Sequence, residues 1–140
     1  EGAPEARSDR RPRILVVEDE RNVLAFYEAL LRQEGYEVDL VSDGRDAFRK
    51  ANRYPFDLIH MDLRLPNWDG LDAVVSLWLV QPDVPIVVVS GYLTPEVIDE
   101  LKTARNVRGL FNKPTNLARY KQVVRDIVEG RLTTNLGLIE

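Results

Sequence analysis

ILVVED, at residues 14–19, is a run of four apolar residues that ends in two acids. Three later apolar runs end in the same way, with a polar side chain just beyond them: Asp62, Ser90 and Lys113. Short continuous apolar runs are typical of strands buried on both faces of a parallel sheet. Because the carboxyl ends of such strands line one crevice where ligands bind, the four runs predict a single site.

Strands and helices alternate along the rest of the chain. The predicted strands are residues 14–17, 36–41, 57–61, 85–89 and 107–111. Asp43, Asp69 and Thr94 are predicted N-caps of three helices, and a last helix is predicted over residues 115–129. The helix after Asp69 is predicted to bury one stripe: Leu71, Val74, Val75 and Trp78. Five strands alternating with five helices, joined by right-handed crossovers, predict an α/β fold with a doubly wound parallel sheet.

The composition is that of one ordinary globular domain, 140 residues long with 44% hydrophobic residues. We expect this domain over residues 13–130, a flexible tail over 1–12, and a C-terminal tail or the start of a linker over 131–140. The net charge of −4 argues against direct nucleic-acid binding. No apolar run approaches the roughly 20 residues of a membrane helix. The absence of cysteine fits a reducing compartment, so a cytoplasmic location is expected.

Three carboxylates are predicted to meet at the carboxyl edge of the sheet. Glu18, Asp19 and Asp62 would repel one another there and raise each other's proton affinity. Carboxylate oxygens with several retained waters suit Mg2+, so these residues are candidate ligands for that ion. The alternative is that Glu18 and Asp19 only cap the first helix, where negative charge is favourable anyway. Their placement opposite Asp62 favours the metal site.

Lys113 and Ser90 complete the predicted site. An ammonium after the last strand would pair with Asp62 and then with a transferred phosphoryl oxygen, and the Ser90 hydroxyl would donate to the same oxygens. The alternatives are a solvated surface lysine and an ordinary turn hydroxyl. His60, in the middle of a predicted strand, is interpreted as a core residue rather than a metal ligand.

Taken together, the motifs resemble the receiver domain of two-component response regulators, of the CheY-like type. The resemblance covers about residues 13–130 and rests on four motifs: ILVVED at 14–19, MDLRLPNWDG at 61–70, PIVVVSG at 85–91, and the pair Lys113-Pro114. Each motif alone is weak, and the set is specific. This family has a flavodoxin-like fold, so the resemblance implies a five-stranded parallel sheet of order 2-1-3-4-5.

The resemblance implies that the chain is a phosphorylation-controlled signalling switch. Asp62 would be the nucleophile that accepts a phosphoryl group from a phosphohistidine and becomes an aspartyl phosphate. Asp19 and Asp62 would bind Mg2+ directly, and Glu18 would act through water. The backbone carbonyl of Arg64 would add a further oxygen to the ion.

The resemblance also implies the partners and the rest of the chemistry. The phosphodonor would be a sensor histidine kinase or a phosphotransfer protein, because a chain whose only histidine is His60 carries no phosphohistidine helix of its own. Lys113 and Ser90 would hold phosphoryl oxygens, and the peptide bond before Pro114 would be cis. The chain would be a phosphoacceptor rather than an enzyme, limited to Mg2+-dependent self-phosphorylation and autodephosphorylation.

In this family the fourth helix, fifth strand and fifth helix form the output face, through which a homodimer is also expected. The residues assigned to the switch and this face are Ser90, Tyr92, Leu110 and Tyr120. Relatives usually carry Phe or Tyr three residues before the lysine, where this chain has Leu110. Phe111, one position along, would point to the opposite face of the sheet. Leucine has no aromatic ring that could change its orientation when Ser90 moves, so it cannot transmit that movement as an aromatic residue would.

Three other functions fit parts of the pattern. A phosphorylation-independent receiver-like protein-binding module would share the fold without using the site; the complete acid set argues against it, and Leu110 argues for it. A flavin-binding flavodoxin-like protein needs a phosphate-cradling loop after the first strand, but residues 18–20 are acidic. An aspartate-nucleophile phosphatase would want a second acid two residues after the nucleophile, where Arg64 stands.

Overall fold

The computed structural model describes residues 11–64 and 69–140, in which helices pack on both faces of one sheet. The predicted flexible tail over 1–12 therefore lies almost entirely outside the described residues. The strands are β1 (Arg13–Val17), β2 (Glu37–Val41), β3 (Leu58–Met61), β4 (Ile86–Ser90), β5 (Val107–Asn112) and β6 (Leu138–Ile139). The helices are α1 (Arg21–Gln33), α2 (Gly44–Arg53), α3 (Gly70–Val80), α4 (Pro95–Leu101) and α5 (Leu117–Val128). None of the described helices is both long and apolar enough to cross a bilayer.

The sheet is parallel throughout, with the order β2-β1-β3-β4-β5-β6. This confirms the α/β fold and the order 2-1-3-4-5, to which the structure adds β6. The added strand lies within residues 131–140, the segment expected to be a tail or the start of a linker, and it pairs with β5 at Leu110 and Phe111. Gly109 makes room for it, because a Cβ at that position would lie 2.8 Å from Cδ1 of Ile139.

Two hydrophobic cores lie on the two faces of the sheet. One core packs the sheet against α2, α3 and α4, and the other packs it against α1 and α5. Side chains of a strand alternate between the faces, so Leu110 enters the first core and Phe111 the second. The prediction that these neighbours point in opposite directions is confirmed.

The N-terminal caps of the helices do not involve Glu18 or Asp19, the two acids that follow β1. Asp43, Asp69 and Thr94 accept backbone N–H hydrogen bonds as predicted and cap α2, α3 and α4. The N-cap of α1 is Glu20, whose side chain makes no capping hydrogen bond. Helix capping therefore does not account for Glu18 and Asp19.

An ion-pair cluster joins β1, β2 and α2. Asp39 lies 3.0 Å from Nη2 of Arg13 and 3.2 Å from Nζ of Lys50. Burial alone would raise the pKa of Asp39, but the hydrogen bonds and charges of these two cations outweigh it and lower the pKa below the ordinary value of 3.8. The folded state therefore favours the ionised form of this carboxyl.

Asp39→Asn is expected to lower the free energy of unfolding by about 1 kcal/mol at pH 7, a modest value because the cations are partly exposed. A depressed folded-state pKa stabilises the protein above the unfolded value of 3.8, and that contribution is lost as the pH falls through the folded-state pKa. The difference between variant and wild type should therefore vanish at low pH in urea titrations. Glu100→Gln, an exposed acid on α4, controls for the loss of one charge. A pH-independent difference would contradict this assignment.

Candidate functional site

The carboxyl ends of β1, β3 and β5 bring three acids and one lysine together. One carboxylate oxygen from each of Glu18, Asp19 and Asp62 lies within 4.8 Å of the others. The Nζ of Lys113 lies 3.2 Å from Oε1 of Glu18 and 3.2 Å from Oδ2 of Asp62. Asp19, Asp62 and Lys113 line an open cleft of about 730 Å³ at this edge of the sheet. The residues predicted to converge are thus adjacent.

The three acids differ in their access to solvent. Glu18 is 0% exposed and Asp62 is 5% exposed, whereas Asp19 is exposed in the cleft. Burial raises the pKa of Glu18, and the charge of Lys113 opposes this only in part. Burial, followed by the charge of Glu18, raises the pKa of Asp62. The surroundings of Glu18 and Asp62 therefore favour the protonated form of these two carboxyls.

Positive charge is in deficit at the site. Burial alone would lower the pKa of Lys113, but its hydrogen bond to Glu18 and the charges of Glu18 and Asp62 outweigh this and raise it. With all three carboxyls ionised, as ligands of a cation would be, one ammonium leaves two negative charges unbalanced. A hard divalent cation fits this all-oxygen donor set in both charge and ligand type.

The end of β4 carries Ser90, which is fully buried. Its Oγ accepts a hydrogen bond from the backbone N–H of Tyr92 at 3.1 Å, and its carbonyl accepts one from the N–H of Lys113 at 3.1 Å. A serine hydroxyl that accepts in this way still has its proton to donate. The peptide bond between Lys113 and Pro114 is cis.

Arg64 and Tyr92 lie together at the cleft. The backbone N–H of Arg64 donates to Oδ1 of Asp62 at 3.2 Å, and its guanidinium lies 4.0 Å from the centroid of the Tyr92 ring. Tyr92 is 45% exposed, whereas Leu110 and Tyr120 are 1% and 0% exposed. Of these three residues assigned to the output face, only Tyr92 presents its side chain at the surface in this state.

His60 has contacts that the sequence did not indicate. It is fully buried, as expected of a core residue, but its Nε2 lies 3.6 Å from Oε2 of Glu18 and its Nδ1 lies 2.8 Å from Oη of Tyr120. Burial, followed by the charge of Lys113, lowers the pKa of His60 to about 3. The imidazole is therefore neutral beside the acidic cluster.

Gly70, at the start of α3, was given no role from the sequence beyond its place in the MDLRLPNWDG motif. A Cβ at this position would lie 2.5 Å from Cα of Leu63, 2.6 Å from the Leu63 carbonyl oxygen and 2.8 Å from the Asp62 carbonyl oxygen. These are backbone atoms, so no side chain can swing aside to make room. The close approach holds α3 against the backbone that carries Asp62.

Gly70→Ala is expected to lower the free energy of unfolding by about 2 kcal/mol or more, because the backbone beside Asp62 must shift to admit the methyl group. The same shift should weaken divalent-cation binding to the acidic cluster. Gly91→Ala is the matched control, since this glycine also lines the cleft but has no atom within 4 Å of the added Cβ. Urea unfolding and cation titration of both variants provide the measurement; equal effects would contradict the role assigned to Gly70.

Sequence comparisons give one family for this chain. The model of the response regulator receiver domain matches residues 14–125. The transcriptional regulatory protein PrrA of Mycobacterium leprae (strain TN) is 42% identical over 80 residues, which are 57% of this chain and 34% of that protein. The transcriptional regulatory protein ZraR of Escherichia coli (strain K12) is 33% identical over 91 residues, which are 64% of this chain and 21% of that protein. The matches span about a third or less of these relatives.

Solved structures agree with this result. A CheY-like response regulator receiver domain protein from Methanospirillum hungatei JF-1 has a TM-score of 0.82 at 23% identity, covering 87% of this chain and 97% of that one, and shows the fold. The receiver domain of the sensor histidine kinase PA1611 from Pseudomonas aeruginosa PAO1 has a TM-score of 0.77 at 30% identity, covering 86% of this chain and 99% of that one. In that relative a magnesium ion is coordinated in the active site cleft.

Proposed function

The chain belongs to the response regulator receiver domain family, and we propose that Asp62 is the residue at which it accepts a phosphoryl group from a histidine kinase or a phosphotransfer protein. The observation that carries this proposal is the position of Asp62 in the cluster. Its carboxylate lies within 4.8 Å of two further carboxylates and 3.2 Å from the Lys113 ammonium. A side chain surrounded in this way can act as a nucleophile once its negative neighbours are neutralised.

Mg2+ is the cofactor that we propose for the cluster. Asp19 and Asp62 would bind it directly, Glu18 would bind it through water, and the backbone carbonyl of Arg64 would supply another oxygen. The all-oxygen donor set and the two unbalanced negative charges fit a hard dication, and the relative from Pseudomonas aeruginosa holds magnesium in its cleft. When bound, the ion supplies positive charge to the carboxylates and to the oxygens of the incoming phosphoryl group.

The transfer that we propose is a single displacement at phosphorus. A carboxylate oxygen of Asp62 forms the new P–O bond while the P–N bond to the donor imidazole breaks, and the imidazole nitrogen keeps the electron pair. Lys113 and Ser90 would donate hydrogen bonds to the phosphoryl oxygens. Such transfers depend almost entirely on positioning and charge neutralisation, which is what this set of side chains provides.

Phosphorylation adds charge and acceptor oxygens to the cleft, and it would bias two states of the chain that differ in how they hold the phosphate. We take residues 13–130 as the receiver domain, with its response carried by α4, β5 and α5, where a homodimer could also form. A cytoplasmic location, where a kinase phosphohistidine is accessible, belongs to the same proposal. Because the relatives are longer proteins, the effector that reads the response is expected outside this segment.

Incubation with acetyl phosphate, with Mg2+ or with EDTA, tests the proposal. We expect a single phosphoryl adduct on the intact chain that requires Mg2+ and that neutral hydroxylamine removes, as it does from acyl phosphates. If neither acetyl phosphate nor a phosphorylated histidine donor gives an adduct, the proposal is wrong and the phosphorylation-independent binding module becomes the better account. An adduct that resists hydroxylamine would place the phosphate on a hydroxyl group and would also contradict it.

A further inference from the structure

Three buried polar side chains connect α5 to the acidic cluster: Tyr120, His60 and Glu18. His60 is paired with Val16 in the register between β3 and β1, and Glu18 follows two residues later on the same face. The imidazole ring packs against two tyrosines, with ring centroids 4.4 Å from Tyr27 and 5.6 Å from Tyr120, and these two rings are themselves 5.1 Å apart. The three rings therefore form one buried cluster.

Two polar atoms of these buried side chains lack a hydrogen-bond partner in the described part of the protein. They are Nε2 of His60 and Oε2 of Glu18, both fully buried and 3.6 Å apart. The Nζ of Lys113 lies 3.0 Å from this oxygen, but its hydrogen bond goes to the other oxygen, Oε1, at 3.2 Å. Buried polar groups are rarely left unpaired, so the facing pair requires an explanation.

The contacts with Tyr120 and Glu18 indicate which ring nitrogen of His60 carries the proton. The contact of 2.8 Å between Nδ1 and Oη of Tyr120 forms in either direction, because a phenol both donates and accepts. If Nδ1 carried the proton, the lone pair of Nε2 would face the carboxylate oxygen of Glu18, and two acceptors would repel. If Tyr120 donates to Nδ1, Nε2–H faces Glu18 instead. The second arrangement is the favourable one, because it sets a donor against an acceptor at both ring nitrogens.

We propose that His60 is a positioning residue for the cation site, in which the Nε2–H tautomer, fixed by Tyr120, directs a hydrogen bond at Oε2 of Glu18. The inference rests on the Mg2+ site of the proposed function. The contact of 3.6 Å between Nε2 of His60 and Oε2 of Glu18 is longer than a hydrogen bond, and Nζ of Lys113 lies closer to the same oxygen, at 3.0 Å. The N–H of His60 would hold this inner oxygen of Glu18 if a bound dication displaced the Lys113 ammonium from it.

Such a donor would fix the orientation of the carboxylate. With Oε2 held from inside the protein, Oε1 would be the oxygen available to the cation site. Hydrogen-bond partners of metal-binding side chains tune metal affinity in this way, and their loss commonly weakens binding about 10–100-fold. Because Glu18 is expected to act through water, we expect the lower end of this range. The same contacts join the acidic cluster to α5 through Tyr120.

The single histidine makes a direct test available. In protein labelled with 15N-histidine, long-range 1H–15N spectra show only the two ring nitrogens of His60, apart from its backbone amide. We expect the neutral Nε2–H tautomer in wild type, with the Nε2 signal shifting when Mg2+ saturates the site. The Nδ1–H tautomer, or ring signals that Mg2+ leaves unchanged, would overturn the proposal without any variant that must fold.

Calorimetric Mg2+ titrations supply the second measurement. His60→Leu is expected to raise the Kd about ten-fold, and His60→Gln, whose amide N–H can reach the same oxygen, is expected to recover most of the affinity. Equal affinity of His60→Leu and wild type would overturn the role of His60 while leaving the proposed function intact. Failure of wild type itself to bind Mg2+ would remove the cation site, and both proposals would then fall.

Discussion

Replacing Asp62 by asparagine is expected to abolish phosphoryl incorporation, lowering the rate of adduct formation from acetyl phosphate with Mg2+ by more than about 100-fold. An amide oxygen is a poor nucleophile and carries no charge to neutralise. The fold should survive the change, because the site disfavours the charged form of this carboxyl: burial and the charge of Glu18 raise its pKa. The unfolding free energy without Mg2+ should therefore be no lower than that of wild type.

Asp69→Asn is the matched control for this experiment. Asp69 also lines the cleft, but its side chain caps α3 by accepting from the N–H of Leu71, a role that asparagine fills equally well. Intact mass of both variants after incubation gives the readout. An undiminished adduct on Asp62→Asn, or equal loss in both variants, would contradict the assignment of Asp62.

Lys113→Met is expected to lower the unfolding free energy and the rate of adduct formation, and to raise the affinity for Mg2+. Without Mg2+ the protein should lose about 2–3 kcal/mol of unfolding free energy, because the ammonium that pairs with Glu18 and Asp62 is removed and leaves buried carboxylates uncompensated. This value lies below the usual range of about 3–5 kcal/mol because the Lys113 side chain is 27% exposed. Mg2+ affinity should rise several-fold, since the ion no longer competes with an ammonium. The rate of adduct formation should fall about 100-fold, because a charged donor to the phosphoryl oxygens is lost.

Lys102→Met controls for the loss of a lysine. Lys102 lies at the surface after α4, 3.7 Å from Asp99, and both side chains are largely exposed. Its replacement should leave stability, Mg2+ affinity and phosphorylation close to the wild-type values. Weaker Mg2+ binding in Lys113→Met would contradict the view that the ammonium and the ion compete for the same oxygens.

The strand pattern predicted most of the fold because β1 and β4, at the centre of the sheet, carry continuous apolar runs with no competing periodicity. The buried stripe predicted on α3 was partly wrong. This helix is apolar on several sides, so the spacing did not identify the buried face: Ala73, Val74 and Leu77 are buried, whereas Val75 is 36% exposed. Strand β6 was missed because its two residues form no apolar run, and its position depends on pairing with β5.

The candidate site was likewise predicted only in part. Convergence of Glu18, Asp19 and Asp62 followed from strand ends that share one edge of a parallel sheet, and the structure brings them within 4.8 Å. The sequence did not distinguish the buried acids from the exposed Asp19, since that depends on how neighbouring elements cover each side chain. The contact between His60 and Glu18 joins two strands through side-chain orientation, for which the spacing along the chain carries no signal.

Locating the phosphoryl group on the chain tests the central claim most directly. After incubation with acetyl phosphate and Mg2+, borohydride reduces an aspartyl phosphate to homoserine, and peptide mass spectrometry identifies the residue that was converted. We expect homoserine at position 62 in the presence of Mg2+ and none when EDTA is added. Conversion at Asp19 or at another carboxylate, or no conversion on a chain that carries an adduct, would contradict the assignment of Asp62 as the phosphoacceptor.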